Sequence, residues 1–149
     1  MESTDSRPAT PKVYRVMKRD ADGFPTTGAS ASTLGVRPHA DVHLDANDEV
    51  LLDGCGMSVV PRWRLMLFTR VPKRLIALVP GARGSDKEYC FCAGAGGFVR
   101  AGFADGLELI PDPGDAPVHG VIAPTESVHV DAFQSALWAT RESWFVDES

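Results

Sequence analysis

At 149 residues, with 44% hydrophobic and 23% charged side chains, the chain is long enough for one self-supporting domain that buries about 68–70% of its unfolded surface. Its formal net charge of −5 argues against nucleic-acid binding through a basic surface, and no apolar run approaches the roughly 20 residues that span a bilayer. Three cysteines, Cys55, Cys90 and Cys92, cannot all pair within one chain, and their odd number fits a reducing compartment better than a disulfide scaffold.

Residues 1–11 combine Ser, Thr, Asp and two prolines, which predicts a disordered arm ahead of a single domain over residues 12–149. The arm has no apolar centre of about 7–15 residues, so no signal peptide is expected. The expected location is the producer's cytoplasm, or a target cell reached without a cleaved leader. The first strand is expected over residues 12–18, followed by a turn at Asp20-Ala21-Asp22-Gly23. Residues 26–38, rich in small side chains, read as an ordered loop with one helical turn near 31–34.

Residues 42–44 and 50–52 read as two short strands joined by Asp45-Ala46-Asn47-Asp48. Gly54-Cys55-Gly56 then lets the backbone turn before an extended stretch at 57–60, which Pro61 ends because it cannot donate to a ladder. Arg62, Arg64, Arg70, Lys73 and Arg74 form a basic cluster, read either as a solvated face or as a site for a phosphate-bearing ligand or acidic partner.

Further strands are expected at 74–79, 88–93, 107–110 and 118–123. Period two puts Cys90 and Cys92 on one face, where they read as small buried hydrophobes. His39, His43, His119 and His129 lack the paired spacings of zinc sites, so no metal is expected. Gly94-Ala95-Gly96-Gly97 reads as a connector, because no helix follows to make it a phosphate cradle. Near the C-terminus, Val130, Phe133, Leu137 and Trp138 form an apolar stripe behind His129 or Ser127, predicting an amphipathic helix that covers the sheet. Asp131 early and Arg141 late would complement its dipole.

Three polar residues stand out. His119 opens the apolar run Val118-His119-Gly120-Val121-Ile122-Ala123-Pro124, Arg15 follows Tyr14 on the first strand, and Ser58 follows Gly56-Met57. Ser58 is in no Gly-x-Ser-x-Gly elbow. On the residues alone, Arg15 reads as an exposed strand arginine, Ser58 as a turn hydroxyl and His119 as a satisfied histidine at a strand end.

The order Tyr14-Arg15, then Gly54-Cys55-Gly56-Met57-Ser58-Val59, then Gly106-Leu107-Glu108-Leu109, then His119 to Pro124 ahead of an amphipathic helix, resembles the Tse-two family of type VI secretion effectors. The resemblance spans roughly residues 13–137. It implies an α+β, ADP-ribosyltransferase-like fold, with a split antiparallel β-sheet and the C-terminal helix. It implies NAD as cofactor, toxicity inside a target cell toward an unknown target, and a cognate immunity protein.

Under that resemblance Arg15 would bind the phosphates or ribose of NAD, Ser58 would brace the nicotinamide ribose, and His119 would orient the reacting group. Tyr14 would pack beside the nicotinamide. The superfamily's glutamate has no unmistakable counterpart; Glu126, after the His119 strand, and Glu108, on the preceding one, are the available acids. Transfer or hydrolysis at the nicotinamide glycosidic bond is the leading expectation. A non-catalytic protein-binding module on the same fold is the alternative, and a relative that binds a nucleotide without consuming it is a third.

Overall fold

A computed structural model describes residues 9–62, 70–72, 83–85 and 88–148, with backbone alone for 70–72 and 83–85. Alternation of Val13, Arg15 and Met17 with Tyr14, Val16 and Lys18 builds β1 (Val13–Lys18). The chain then forms β2 (Met57–Val59), β3 (Arg70–Pro72), β4 (Arg83–Ser85), β5 (Glu88–Ala93), β6 (Ala101–Ala104), β7 (Leu107–Pro111), β8 (Gly120–Pro124), the helix α1 (Val130–Trp138) and β9 (Phe145–Val146). The fold is mixed α+β and mostly antiparallel, with one short C-terminal helix. Among the described residues no helix is long and apolar enough to cross a membrane.

Two antiparallel sheets, ordered β1-β5-β9 and β2-β8-β7-β6, carry the structure, and β3 pairs with β4 in parallel. The two sheets meet at one bridge, where Tyr14 and Val60 exchange backbone hydrogen bonds of 2.8 and 3.0 Å. Alternation sends Val13, Met17, Phe91, Met57, Val59, Leu107, Leu109 and Ile122 into one shared core. α1 lays Val130, Phe133 and Leu137 against it. At about 1.5–3 kcal/mol for each fully buried large apolar side chain, this stripe holds the short helix in place. Trp144 fills the far corner, its ring centroid 5.9 Å from that of Phe103 and its indole N–H donating to Thr140.

Several expected elements take a different form. The 42–52 hairpin is reduced to a bridge between Leu44 and Val50, because residues 48–50 also pair with 128–130 at the start of α1. In place of the helical turn expected at 31–34, a single tight turn forms, closed by the Thr33 N–H donating to Ser30 at 3.4 Å. There Ser30 and Thr33 bond each other through side chain and backbone, and Thr27 bridges to Leu34.

Gly35, at φ 145°, then brings the loop so close to Gly28 that a Cβ would collide with its carbonyl. The helix is capped by His129, whose ring nitrogen accepts from the Asp131 N–H at 3.1 Å, while Ser127 donates to Val50 instead. Arg141 lies beyond the helix and pairs with Asp20 and Asp22, so it does not serve the dipole. Trp138 stands off the buried stripe, 39% exposed.

Strands β3, β4, β6 and β9 match no expected strand. The expected strand at 74–79 and the cations Arg64, Lys73 and Arg74 lie outside the described residues, as do residues 1–8 of the arm. Thr10 and Pro11, the arm's inner end, run beside the Gly94-Ala95-Gly96-Gly97 segment, with the Thr10 carbonyl accepting from Ala95 and Gly96.

Candidate functional site

Arg15 points from β1 to the core side, with Val13 and Met17, and is only 8% exposed. A guanidinium taken out of water must have its donors satisfied, and four main-chain carbonyls do this. Nη1 donates to Ser58 at 2.9 Å, Nε and Nη2 to Thr33 at 3.2 and 3.0 Å, and Nη2 also to Ala31 and Gly35 at 3.3 and 3.4 Å. Burial pulls its pKa down to about 10, partly offset by the charge of Asp41. The group therefore stays protonated at neutral pH. It was expected on the surface or on a ligand's phosphates, but it is spent joining the loop of residues 26–38 to β2.

Tyr14, one residue earlier, faces the other way, as period two requires. Its hydroxyl donates to Asp147 at 2.9 Å, and its pKa is pushed up by burial and by that carboxylate. It thus packs with Cys92 and the C-terminal strand on the face opposite Arg15. Cys90 and Cys92 are fully buried on this face and form no disulfide, and burial raises the pKa of Cys92.

Ser58 lies on the outer face of β2, exposed, between the core residues Met57 and Val59. Its cross-strand partner on β8 is Val121. His119 stands just before β8, and the ladder to β7 continues through it, since the Asp112 N–H donates to its carbonyl at 2.9 Å. Its side chain therefore shares the face of Val121 and Ser58, about 7 Å along the strand. His119 Nδ1 lies 3.1 Å from Asp112 Oδ2, which leaves Nε2 for another partner. The chain at the start of β2 is held against β8 at Gly56, where a Cβ would strike the Ile122 carbonyl.

The two acids separate clearly. Glu126 stands exposed in the turn after β8, at the opposite end of that strand from His119. Glu108 on β7 pairs with Ala123 and, through the alternation of β7 and β8, projects on the same face as Val121 and Ser58. It is partnered by Arg100 at 3.1 Å. Glu108 thus shares the sheet face of Ser58 and His119, but its partner Ala123 lies four residues along β8 from His119, about 13 Å, so neither acid adjoins His119.

A cavity of about 150 Å³ lies elsewhere, walled by Thr10, Gly94, Phe103 and Thr140 among others. It contains none of these residues and is below the roughly 300–1,000 Å³ of ordinary small-molecule sites.

One polar cluster escaped the sequence reading. His43, Asp53 and Cys55 converge within 4.8 Å at the edge of the 42–55 segment. The expected hairpin carried the signal, because pairing residues 42–44 with 50–52 brings His43 toward the Asp53-Gly54-Cys55 turn. Compared with known proteins, the chain matches no family model, no curated protein and no solved structure.

Proposed function

We propose that this chain is a toxin of the ADP-ribosyltransferase type, related to the Tse-two effectors, which acts inside a target cell and uses NAD as co-substrate. The observation that supports it most is the common face of β2 and the β8 end, which carries Ser58 and His119 close to where the two antiparallel sheets meet at Tyr14–Val60. A split antiparallel sheet of this kind is what the family's fold would require.

NAD would supply the glycosidic bond between nicotinamide and ribose. The Ser58 hydroxyl can donate or accept and the His119 ring is oriented by Asp112, whereas Glu108 is ion-paired with Arg100 and stands about 13 Å along the sheet from His119. Arg15 does not fit a phosphate clamp, because its fork is committed to carbonyls. It is a positioning residue that holds the strand bearing Ser58.

The decisive experiment follows growth and nicotinamide release on controlled expression in a bacterial host. His119→Ala and Ser58→Ala are each expected to lower nicotinamide release at least about 100-fold, the scale of losing one group that stabilises developing charge, with the far-ultraviolet spectrum unchanged. Glu126→Gln is expected to be silent. Release that survives both changes, or protein that neither binds nor cleaves NAD, overturns the proposal.

The second reading is a non-catalytic protein-binding module. It is favoured by the structural use of Arg15 and by Leu51 and Leu52, which are 42% and 59% exposed. In the toxin reading, a cognate immunity protein would cover the Ser58 face.

A further inference from the structure

We infer that His43, Asp53 and Cys55 form a binding site for a borderline-soft divalent metal ion of the zinc class, with three protein ligands and one open coordination position. The inference does not depend on the use of NAD.

Backbone pairing assembles the site. The Asp45 N–H donates to Glu49 at 2.9 Å and the Leu51 N–H to His43 at 2.9 Å, so the two arms of the segment run back to back. Asp45 Oδ1 ties the turn further by accepting from Asn47 and Glu49. Gly54 then adopts φ 84°, which folds Asp53 and Cys55 toward His43. The Cys55 N–H donates to Asp53 Oδ1 at 3.2 Å and leaves Oδ2 aimed at the imidazole. Asp53 Oδ2 lies 2.5 Å and Cys55 Sγ 3.8 Å from the same atom, His43 Nδ1.

This shared nitrogen distinguishes a metal site from a nucleophile triad. In a triad the thiol and the carboxylate would sit on opposite nitrogens of the ring. Here thiol, carboxylate and Nδ1 surround one point. In a tetrahedral site with bonds of about 2.0–2.3 Å, ligand atoms lie roughly 3.3–3.6 Å apart. The Sγ to Nδ1 separation is close to that, and the shorter Asp53–His43 contact opens when the metal takes the place of the hydrogen between them.

The donor set chooses the ion. A thiolate and an imidazole beside a single carboxylate suit zinc, cobalt or nickel and not magnesium or calcium, which want oxygen shells. On binding, the Cys55 thiol releases its proton to solvent, and the proton held between His43 Nδ1 and Asp53 leaves Nδ1, so that the coordinated neutral imidazole carries its proton on Nε2. All three side chains are reachable, with 64% of the His43 and 34% of the Asp53 side chain exposed. The ion would fasten the 42–53 segment to the start of β2, three residues ahead of Ser58.

The test titrates Co²⁺, then Zn²⁺, into metal-stripped, reduced full-length protein and reads the visible spectrum and stoichiometry. One equivalent of Co²⁺ is expected to give tetrahedral d–d bands with a near-ultraviolet thiolate charge-transfer band, and Zn²⁺ is expected to displace it. Cys55→Ser is expected to abolish the charge-transfer band. His43→Ala and Asp53→Asn are each expected to weaken binding by more than about tenfold. Cys92→Ala, at a buried thiol away from the site, is expected to leave the spectrum unchanged; Cys90→Ala serves the same purpose should that variant unfold. Absence of a thiolate band at stoichiometric metal, or a band that persists in Cys55→Ser, overturns the inference.

Discussion

Arg15 and the His43–Asp53–Cys55 cluster both organise loops that lead into β2, yet they do so in opposite ways. Arg15 is buried and bonds only to main-chain carbonyls, so its charge is consumed by architecture. The cluster is exposed and bonds mainly side chain to side chain, so its chemistry stays open to solvent. A polar residue with saturated partners in the interior tells of folding; one whose partners are themselves reactive and reachable tells of binding.

The comparison makes a graded series of expectations for stability. Arg15→Met should be the most damaging, about 3 kcal/mol or more by denaturant unfolding, because several carbonyls lose their donor together. Arg15→Lys should recover only part of this, since an ammonium cannot reproduce the planar fork. A loss below about 1 kcal/mol in Arg15→Met would mean that the buried guanidinium is not an architectural element.

Gln134→Leu is expected to cost about 1–3 kcal/mol. It strands the Val36 N–H and carbonyl, which bond the Gln134 amide at 2.8 and 2.9 Å.

Arg141→Met should act mainly through pH. The Arg141 hydrogen bonds hold the Asp20 carboxyl below its usual range. A carboxylate depressed in the folded state adds stability above its unfolded pKa of about 4, and that stability is lost as pH falls through the lower folded value. Replacing Arg141 should therefore flatten the acid limb of the stability profile below about pH 4. An unchanged limb would show that the pair has no net linkage.

Cys55→Ser and His43→Ala, at the accessible cluster, should move stability by no more than about 0.5 kcal/mol in metal-free protein. A cost as large as that of Gln134→Leu would make the cluster structural and erase the contrast.

How much of this could be read in the residues varies with the kind of signal. β5 spans the expected residues, and β1, β7 and β8 fall within one or two of them, because apolar runs bounded by Gly, Asp and Pro are local features. β6 was missed because its Ala-Gly-Phe-Ala sequence is weak, although Asp105-Gly106, with Gly106 at φ 73°, is a hairpin turn that marks it. β9, with two residues, depends wholly on β5 for pairing. Ser58 and His119 are placed on one sheet face by register alone. The fate of Arg15 was illegible, because nothing local shows that carbonyls from residues 31–35 and 58 will surround it.

The stretch from Thr26 to Pro38 has no helix or strand of its own, yet it is held from two sides, by Arg15 through the carbonyls of Ala31, Thr33 and Gly35 and by Gln134 through both polar groups of Val36. Its buried, hydrogen-bonded amides, those of Leu34 and Val36, should therefore exchange with deuterium on the timescale of strands, opening only with the whole molecule. The Val36 amide, which donates to the Gln134 side chain on α1, would then report the docking of that helix one proton at a time.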